Sequence, residues 1–385
     1  MKTTRLLVTI FLAFILASCG GKQQFTDDII TVDVTKNYSP KKNLILQDFM
    51  DVEYIALETN NDFLNQGFVQ DIGKNTILLR NRNDDGDIFV YNRQGKALRK
   101  INRKGQGGEE YTRIFNIILD ENKREMFVND IDTRKIVVYD LYGKFKRTFK
   151  HKNEANLIYT AIFNYDKENL ICYDQFNKET AFVLISKLDG SITKEIKIPS
   201  KEKKLLFKIN DAKNYSVTPG PYRTIIPFKG SWLLCENSSD TVYTLLSDYS
   251  LHPFLVRTPS VQSMDPEVFL LLRFFSDHYY FMETLQNVYD FDKNAGFPRT
   301  FFMYDIQEEA FFGYTVFNGD FTTKKEIYMS VTRPVNHEIE SWYPLEAHSL
   351  VESYQKDEFK GTLKEIAAEL DEEANPVIML IKHKK

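Results

Sequence analysis

The residue types that could bind a ligand are most concentrated in one loop, which reads NRKGQGGEEY between positions 102 and 111. Closely spaced glycines let several backbone N–H groups point at one anion, and neighbouring cations add attraction. The candidate ligand-binding residues are Arg103, Lys104, Gly105, Gly107, Gly108, Glu109 and Tyr111. The alternative is a structural link, in which the glycines turn the chain and Tyr111 packs between two sheets. Because the glycine spacing matches neither known nucleotide-binding pattern, the structural alternative is favoured.

The remaining polar residues show no spacing typical of a catalytic or metal site. HExxH and CxxC motifs are absent, and no GxSxG motif marks a serine nucleophile. Two segments rich in Asp and Asn, at 81–87 and 289–296, lack the EF-hand spacing and are predicted to be turns. A further group could converge in space, although its positions favour loops and helix edges: His337, Glu338, Glu346 and His348. The sequence therefore predicts no catalytic residue, no metal and no cofactor.

The N-terminus has the pattern of a secretion signal. Lys2 and Arg5 precede an apolar run, 6–16, which ends at Leu-Ala-Ser-Cys, with the cysteine at position 19. The run is too short to span a bilayer as a mature helix. This lipobox resembles bacterial lipoprotein signals, and the resemblance implies cleavage before Cys19 and acylation of its thiol. We therefore expect a signal peptide at 1–18, a lipidated tether at 19–27 and membrane attachment through Cys19.

Composition restricts the partners and the redox chemistry. The 385 residues carry a net charge of −4 and no basic run, so nucleic acid is not a predicted partner. The content of 30 Phe and 21 Tyr is typical of half-buried strands. Cys172 and Cys235 occupy equivalent slots in two similar apolar segments. We expect them to be small buried side chains, with a disulfide as the less favoured alternative.

A repeated hairpin pattern organises the chain. The segments 87–101 and 135–149 share an apolar run ending in Tyr, three further residues, then Gly-Lys and a second run. Gly95, Gly143 and Gly190 occupy the same slot in three copies, and Ser250 occupies it in a fainter fourth copy. A short loop containing glycine between two such runs predicts a β-hairpin.

Each hairpin follows another pair of short strands, so the unit is four antiparallel strands, as in a β-propeller blade. About six units fit the chain, and residues 28–385 are predicted to form one propeller. Because rings remove exposed sheet edges, we expect the N-terminal segments IITVDV (29–34) and VEYIALE (52–58) to complete the last blade with the C-terminal strand. Two helical insertions are also predicted, one starting at Asp265-Pro266 and one over about 356–372.

Several segments together resemble the six-bladed β-propeller lipoproteins of Gram-negative gut-type bacteria, whose architecture is related to NHL and TolB-like propellers. They are VEYIALETN (52–60), RKGQGGEEY (103–111), the two Tyr-x₃-Gly-Lys hairpins and LDEEANPVIMLIKHK (370–384). The resemblance implies an all-β ring in the cell envelope and no settled reaction. GGKQQ follows Cys19, whereas surface-exported relatives often carry acidic residues there, so the periplasmic face of the outer membrane is favoured over the cell surface.

Two functions remain open at this point. The first is a non-catalytic, lipid-anchored propeller that binds a small molecule, a glycan or a partner protein, by analogy in polysaccharide capture or in an envelope complex. The second is an envelope hydrolase or lyase that acts on glycans or peptides at the mouth of the channel. Convergent carboxylates or histidines with shifted pKa values in the channel would favour the enzyme. Aromatic and scattered polar groups would favour the binding protein.

Overall fold

The computed structural model of the protein describes residues 29–82, 84–151, 158–331 and 335–384. Cys19, the predicted signal peptide and the predicted tether lie outside these described residues. The described chain forms six successive blades of antiparallel strands and only three short α-helices. The prediction of an all-β, six-bladed β-propeller is therefore confirmed.

The described chain begins with an N-terminal strap, which we define as residues 30–56. Its elements are β1 (Ile30–Asp33), β2 (Lys41–Ile45), the helical turn α1 (Leu46–Phe49) and β3 (Asp51–Ala56). The strap is followed by three regular four-stranded blades. Blade 1 has β4 (Phe68–Ile72), β5 (Thr76–Arg80), β6 (Asp87–Asn92) and β7 (Ala97–Asn102). Blade 2 has β8 (Ile114–Asp120), β9 (Glu125–Asp130), β10 (Lys135–Asp140) and β11 (Phe145–Lys150). Blade 3 has β12 (Ala161–Asn164), β13 (Asn169–Tyr173), β14 (Phe182–Ser186) and β15 (Ile192–Ile196).

The second half of the ring is less regular, because two-stranded ribbons are inserted into it. The first ribbon is β16 (Lys208–Asn210) with β17 (Tyr215–Val217). Blade 4 has β18 (Ile225–Phe228), β19 (Ser231–Leu234), β20 (Thr241–Leu245) and β21 (Leu251–Thr258). Blade 5 begins with β22 (Val268–Phe275) and β23 (Tyr279–Gln286), and continues after the second ribbon, β24 (Tyr289–Asp290) with β25 (Ala295–Gly296). It is completed by β26 (Arg299–Asp305) and β27 (Ala310–Asn318), with β28 (Lys325–Ile327) at its edge. Blade 6 joins β29 (Ile339–Leu345) and β30 (Val377–Lys382) to β3. Two helices, α2 (Ala347–Gln355) and α3 (Gly361–Glu369), lie between β29 and β30 in sequence.

Apolar packing between neighbouring blades closes the ring. Side chains of each blade share a buried cluster with those of the next, from blade 1 through to blade 6. The last cluster returns to the start, where Ile378 and Leu380 of β30 pack with Val69 and Leu79 of blade 1. The first strand of each blade is the inner one, since β8 contacts both β4 and β12, and β22 contacts β29. The core is therefore a cycle of interfaces between sheets around one axis.

The strap seals the outer edges of the second half of the ring. β1 pairs in parallel with β21 of blade 4, and β2 pairs in parallel with β27 of blade 5. β3 then pairs antiparallel with β30, which confirms that VEYIALE and the C-terminal strand complete the last blade. The prediction that IITVDV joins the same blade is wrong. That segment instead pairs with the free edge of blade 4. Without it, the unpaired backbone N–H and C=O groups of that edge could pair with another chain.

The hairpin predictions are confirmed in blades 1, 2 and 3, and the position of the turn residue is corrected in blade 4. Gly95, Gly143 and Gly190 each have a positive φ in the turn that precedes the outer strand of blades 1, 2 and 3. In blade 4 the positive φ falls on Tyr249 rather than on Ser250. The turn is therefore retained there with its left-handed residue one position earlier.

The helix predictions are corrected by the structure. No helix starts at Asp265-Pro266, because the following run, VFLLLRFF, forms β22 and is buried between two neighbouring blades. Such a run of aromatic and aliphatic residues fits a strand covered on both faces. The helix predicted over 356–372 is the shorter α3, and α2 precedes it without having been predicted. Both helices pack on the outside of blade 6 in one small apolar cluster.

Two other sequence expectations have a clear outcome. Cys172 and Cys235 are free and buried, as expected, and burial raises the pKa of each thiol, that of Cys235 to about 12. Within the described ranges, no helix is both long enough and apolar enough to cross a membrane.

Candidate binding site

The glycine loop of the sequence analysis lies between blades 1 and 2 and closes on itself. The backbone N–H of Gly105 donates to the carbonyl of Tyr111, and that of Gly107 donates to Glu110 Oε2 at 2.8 Å. The Glu110 carboxylate therefore occupies the position that an anion would take in a nest. Neither Gly107 nor Gly108 has a positive φ.

Side chains around this loop also have partners in the protein. The buried Tyr111 hydroxyl donates to the carbonyl of Gly86 at 2.7 Å and accepts from the backbone N–H of Arg103 at 2.9 Å. The Arg103 side chain donates to the carbonyl of Gly143, Lys104 donates to that of Asp84, and Glu109 accepts from Tyr139 through its backbone carbonyl. The structure thus brings the predicted residues together as a connection between blades, and ligand binding there stays a prediction.

The acidic and histidine segments noted in the sequence separate in the fold. His337 and Glu338 precede β29, whereas His348 lies on α2 and contacts Ser349. Asp85 and Asp290 accept backbone N–H groups two residues ahead, which confirms that their segments are turns. In the part of the chain that the structure describes, no group of three or more His, Cys, Asp or Glu residues could hold a metal ion.

A buried charge network, which the sequence analysis missed, joins blades 4, 5 and 6. Arg223 of blade 4 donates to Glu340 Oε1 on β29, and that oxygen also accepts the backbone N–H of Phe275 at 2.9 Å. On blade 5, Arg273 and Arg299 both donate to Glu283 Oε1 at 2.5 Å. Both carboxylates are fully buried. Each is therefore held by at least one guanidinium, which offsets the cost of burying a carboxylate.

The segment before β29 crosses from blade 6 towards other blades. Asn336 donates to the carbonyl of Ile72 in blade 1 at 2.8 Å, and the His337 ring packs edge-on against Trp232 of blade 4, with centroids 4.9 Å apart. Burial lowers the pKa of His337, so this imidazole is neutral at pH 7. A neutral ring against an indole acts here as a packing contact.

An accessible cavity of about 320 Å³ lies where the strap meets blade 5. We call it the strap cavity. Its walls are the strap itself, the end of β27 with the following loop, and the residue before α3: Ile45, Gln47, Phe317, Asn318, Gly319, Asp320, Phe321, Thr322, Thr323, Lys324 and Lys360. Its volume is at the lower end of the range for small-molecule sites, which are about 300–1,000 Å³.

Polar groups on the wall of the strap cavity are held in place by one another. Gln47 Nε2 donates to Asn318 Oδ1 at 2.7 Å and to Asp320 Oδ2 at 2.8 Å. The hydroxyl of Tyr54 donates to the same Asp320 oxygen at 2.8 Å, and burial raises the pKa of this phenol, which keeps its proton. Lys324 reaches over the Phe317 ring at 5.6 Å. The wall therefore combines fixed acceptors with a cation and an aromatic ring.

The sequence gives little sign of the strap cavity. Asn318, Gly319 and Asp320 follow an alternating strand and indicate only a turn. Gln47 approaches them because β2 pairs in parallel with β27. Pairing between segments so distant in the chain cannot be predicted from a single sequence.

Comparison with known protein families identifies the family of this chain. The model of a family described as 6-bladed beta-propeller, DUF5128, matches residues 21–339. The chain belongs to this family. A comparison with curated proteins gives no match.

Solved structures share the ring at low sequence identity. A candidate exported protein from Bacteroides fragilis is similar over 93% of this chain and 100% of its own, with 15% identity and a TM-score of 0.60, which shows a common fold. A DUF4221 member from Bacteroides vulgatus has 10% identity and a TM-score of 0.43, covering 69% of this chain and 86% of its own. A catalytically inactive virginiamycin B lyase from Staphylococcus aureus, with quinupristin, has 9% identity and a TM-score of 0.40, covering 86% and 99%. The last two similarities are too weak to support an inference.

Proposed function

We propose that the protein is a lipid-anchored cell-envelope propeller that binds a ligand in the strap cavity without transforming it. The observation that carries the proposal is a set of polar side chains on the wall of an accessible cavity, in which Gln47 donates to Asn318 and Asp320 and holds their oxygens in place. Side chains that are already oriented lose less entropy when a ligand binds, which favours recognition.

The buried charge network supports binding rather than catalysis. A hydrolase or lyase needs a carboxylate or imidazole that is free to exchange a proton with its substrate. Arginines pair with one oxygen each of Glu283 and Glu340, and both carboxylates are fully buried. The other oxygen of Glu340 lies 3.4 Å from His383 Nε2, inside the same buried network. The neutral His337 packs against Trp232. These groups hold blades 4, 5 and 6 together.

The chemistry of the strap cavity fits a small ligand rich in hydroxyl groups, such as a sugar unit. Carboxylate and carboxamide oxygens accept hydrogen bonds from hydroxyls, and an ammonium group donates to them. The rings of Phe317 and Phe321 would cover the apolar face of such a ligand. This assignment agrees with the polysaccharide-linked role considered from the sequence.

Attachment to the envelope rests on the lipobox at Cys19, which resembles bacterial lipoprotein signals. The exported Bacteroides fragilis protein of the same fold is consistent with an envelope location. We place the protein on the periplasmic face of the outer membrane.

Binding is tested by titrating the purified protein with a panel of monosaccharides and disaccharides, using calorimetry and thermal unfolding. We expect at least one sugar to raise the melting temperature, and Asp320→Asn and Lys324→Ala to weaken its binding about tenfold. Lys325→Ala is the matched control, because Lys325 is exposed next to Lys324 but does not line the cavity. Equal affinities in all three variants would refute the strap cavity as the binding site.

Anchoring is tested separately by fractionating cells that express the Cys19→Ala variant. Because multiple acyl chains hold a protein firmly on a membrane, loss of the thiol should release it. Recovery of the variant in the membrane fraction with its signal removed would contradict the lipid anchor. Degradation of the wild-type protein by protease added to whole cells would contradict the periplasmic assignment.

A further inference from the structure

We propose that the outer strand of blade 1 and the neighbouring turns of blade 2 form a docking site for an acidic polymer, centred on Arg99, Tyr142 and Arg124. We call these three residues the arginine–tyrosine cluster. Its ligand is a chain with repeated carboxylate groups, such as a polyuronate. This site is distinct from the strap cavity, which lies at blade 5.

The arginine–tyrosine cluster presents two guanidinium groups on one exposed ring. Tyr142 is 57% exposed, and the Cζ atom of Arg99 lies 3.7 Å from its ring centroid. Arg124 lies 5.7 Å from the same centroid and donates to the Tyr142 hydroxyl at 3.3 Å. Stacking on an aromatic ring fixes the plane of a guanidinium and leaves its N–H groups free to donate hydrogen bonds to a carboxylate.

Neither arginine of the cluster is neutralised by the protein. Among the residues that the structure describes, no Asp or Glu lies within 4 Å of the Arg99 or Arg124 guanidinium. This differs from Arg93 and Arg147 nearby, which pair with Glu53 and Glu125. The cluster therefore retains two full positive charges and the hydrogen-bonding capacity to bind an external carboxylate in bidentate geometry.

Lysines extend the positive charge along both blade edges. The outer strands β7 and β11 contain five basic residues and no acidic one, although the whole chain is acidic. Among the described residues, the exposed lysines on these strands and in their turns that form no salt bridge are Lys96, Lys144, Lys146 and Lys150, whereas Lys100 pairs with Asp87 at 2.8 Å. A row of cations along two neighbouring edges matches repeated charges on a polymer better than it matches a single small ion.

Protection of sheet edges explains only part of this pattern. Lysines on an outer strand discourage pairing with another sheet, so they would be expected on β7 and β11 in any case. Edge protection does not require Arg99 to stack on an exposed tyrosine of the next blade, nor a second arginine, Arg124, to bind the hydroxyl of that tyrosine. The cluster therefore indicates recognition in addition to protection.

Affinity electrophoresis of the mature protein in gels containing polygalacturonate tests this proposal, with gels containing neutral dextran as the reference. We expect retardation by polygalacturonate alone, and an apparent Kd at least tenfold weaker for the double variant Arg99→Gln/Arg124→Gln. The control Lys178→Gln/Lys325→Gln removes two exposed positive charges elsewhere and should migrate like the wild type. Tyr142→Ala keeps the charge but removes the stacking surface, and should also weaken binding.

Three outcomes would overturn the proposal. One is equal retardation of both double variants, which would show attraction by net charge alone. Another is the absence of retardation in polygalacturonate while all variants unfold at the wild-type temperature. The third is Arg99- and Arg124-dependent binding to phosphatidylglycerol vesicles without binding to polygalacturonate, which would make the surface a membrane contact. Sugar binding that depends on Asp320 is measured separately, so failure at either site is distinguishable from failure at the other.

Discussion

Ile55 lies directly opposite Ile378 in the antiparallel pair that closes the ring, although one belongs to the N-terminal strap and the other to the last strand. Ile378 is fully buried and packs with side chains of blade 1. Deleting residues 375–385 removes β30, the central strand of blade 6, and separates β3 from β29. We expect the truncated chain to aggregate and to lose cooperative unfolding, as measured by circular dichroism and size-exclusion chromatography.

A point substitution tests the same closure of the ring without removing a strand. Ile378→Ala removes buried methyl groups from the interface between blades 6 and 1, so the free energy of unfolding should fall by about 2–5 kcal/mol. Leu188→Ala is the control, because Leu188 is 74% exposed and its loss should change stability by less than about 0.5 kcal/mol. A truncated protein that stays soluble and melts like the wild type would show that β30 does not close the ring.

The hairpin glycines allow a second prediction, which separates backbone strain from steric conflict. Gly95 and Gly230 both have a positive φ, so alanine at either position costs about 1 kcal/mol through strain. At Gly95 the new methyl group would also collide with the backbone carbonyl of Ala56, whereas nothing lies near Gly230. Urea unfolding should therefore show a larger loss of stability for Gly95→Ala than for Gly230→Ala. Equal losses of stability in the two variants would mean that blade 1 can move away from the strap at no cost in free energy.

The regular half of the ring was predictable from the sequence because its signals are local. Alternating runs around Gly95, Gly143 and Gly190 specify hairpins within a few residues, and the spacing of the glycines specifies the blade. The placement of β1 was not predictable, because IITVDV can pair with any free sheet edge. Blade 5 was also obscured, since its ribbon at 289–296 interrupts the four-strand pattern.

The candidate sites were harder to foresee for a related physical reason. The glycine loop is contiguous in sequence and therefore conspicuous, yet its polar groups are largely used within the protein. The strap cavity joins Gln47 to Asp320, and the arginine–tyrosine cluster joins Arg99 to Tyr142. Both depend on contacts between separate strands, which a single sequence does not encode in its local pattern.

The glycine loop provides a third prediction. The side chain of Arg103 donates to one backbone carbonyl and Lys104 to another, and both residues are exposed. Arg103→Ala and Lys104→Ala should therefore change the melting temperature little, since surface substitutions usually shift stability by less than about 0.5 kcal/mol. If the loop also binds an anionic ligand, phosphate or an acidic sugar would stabilise the wild type but not these variants. We expect no such ligand-dependent difference, and observing one would identify the loop as a site.

The final prediction concerns Asp71, the carboxylate that links the inner strands of blades 1 and 2. Burial raises the pKa of Asp71 from 3.8 to about 7, against the opposing effect of the backbone N–H groups of Leu119 and Ile72, which donate to it at 2.7 and 2.8 Å. Asp71 is partly exposed to solvent, and its contact with water reduces the rise in its pKa. Because its pKa is higher in the folded state, Asp71 binds more protons there than in the unfolded chain between these two values.

The contribution of Asp71 to stability should therefore decrease as the pH rises from about 4 to about 7. Other groups titrate in the same range, so the quantity to measure is the difference in unfolding free energy between the wild type and Asp71→Asn, obtained from urea titrations at several pH values. That difference should move in favour of Asp71→Asn as the pH rises. The exposed Asp62 provides a matched control, and Asp62→Asn should show no such trend. A difference that moves the other way would mean that the two N–H donors outweigh burial and hold the pKa of Asp71 below its usual value.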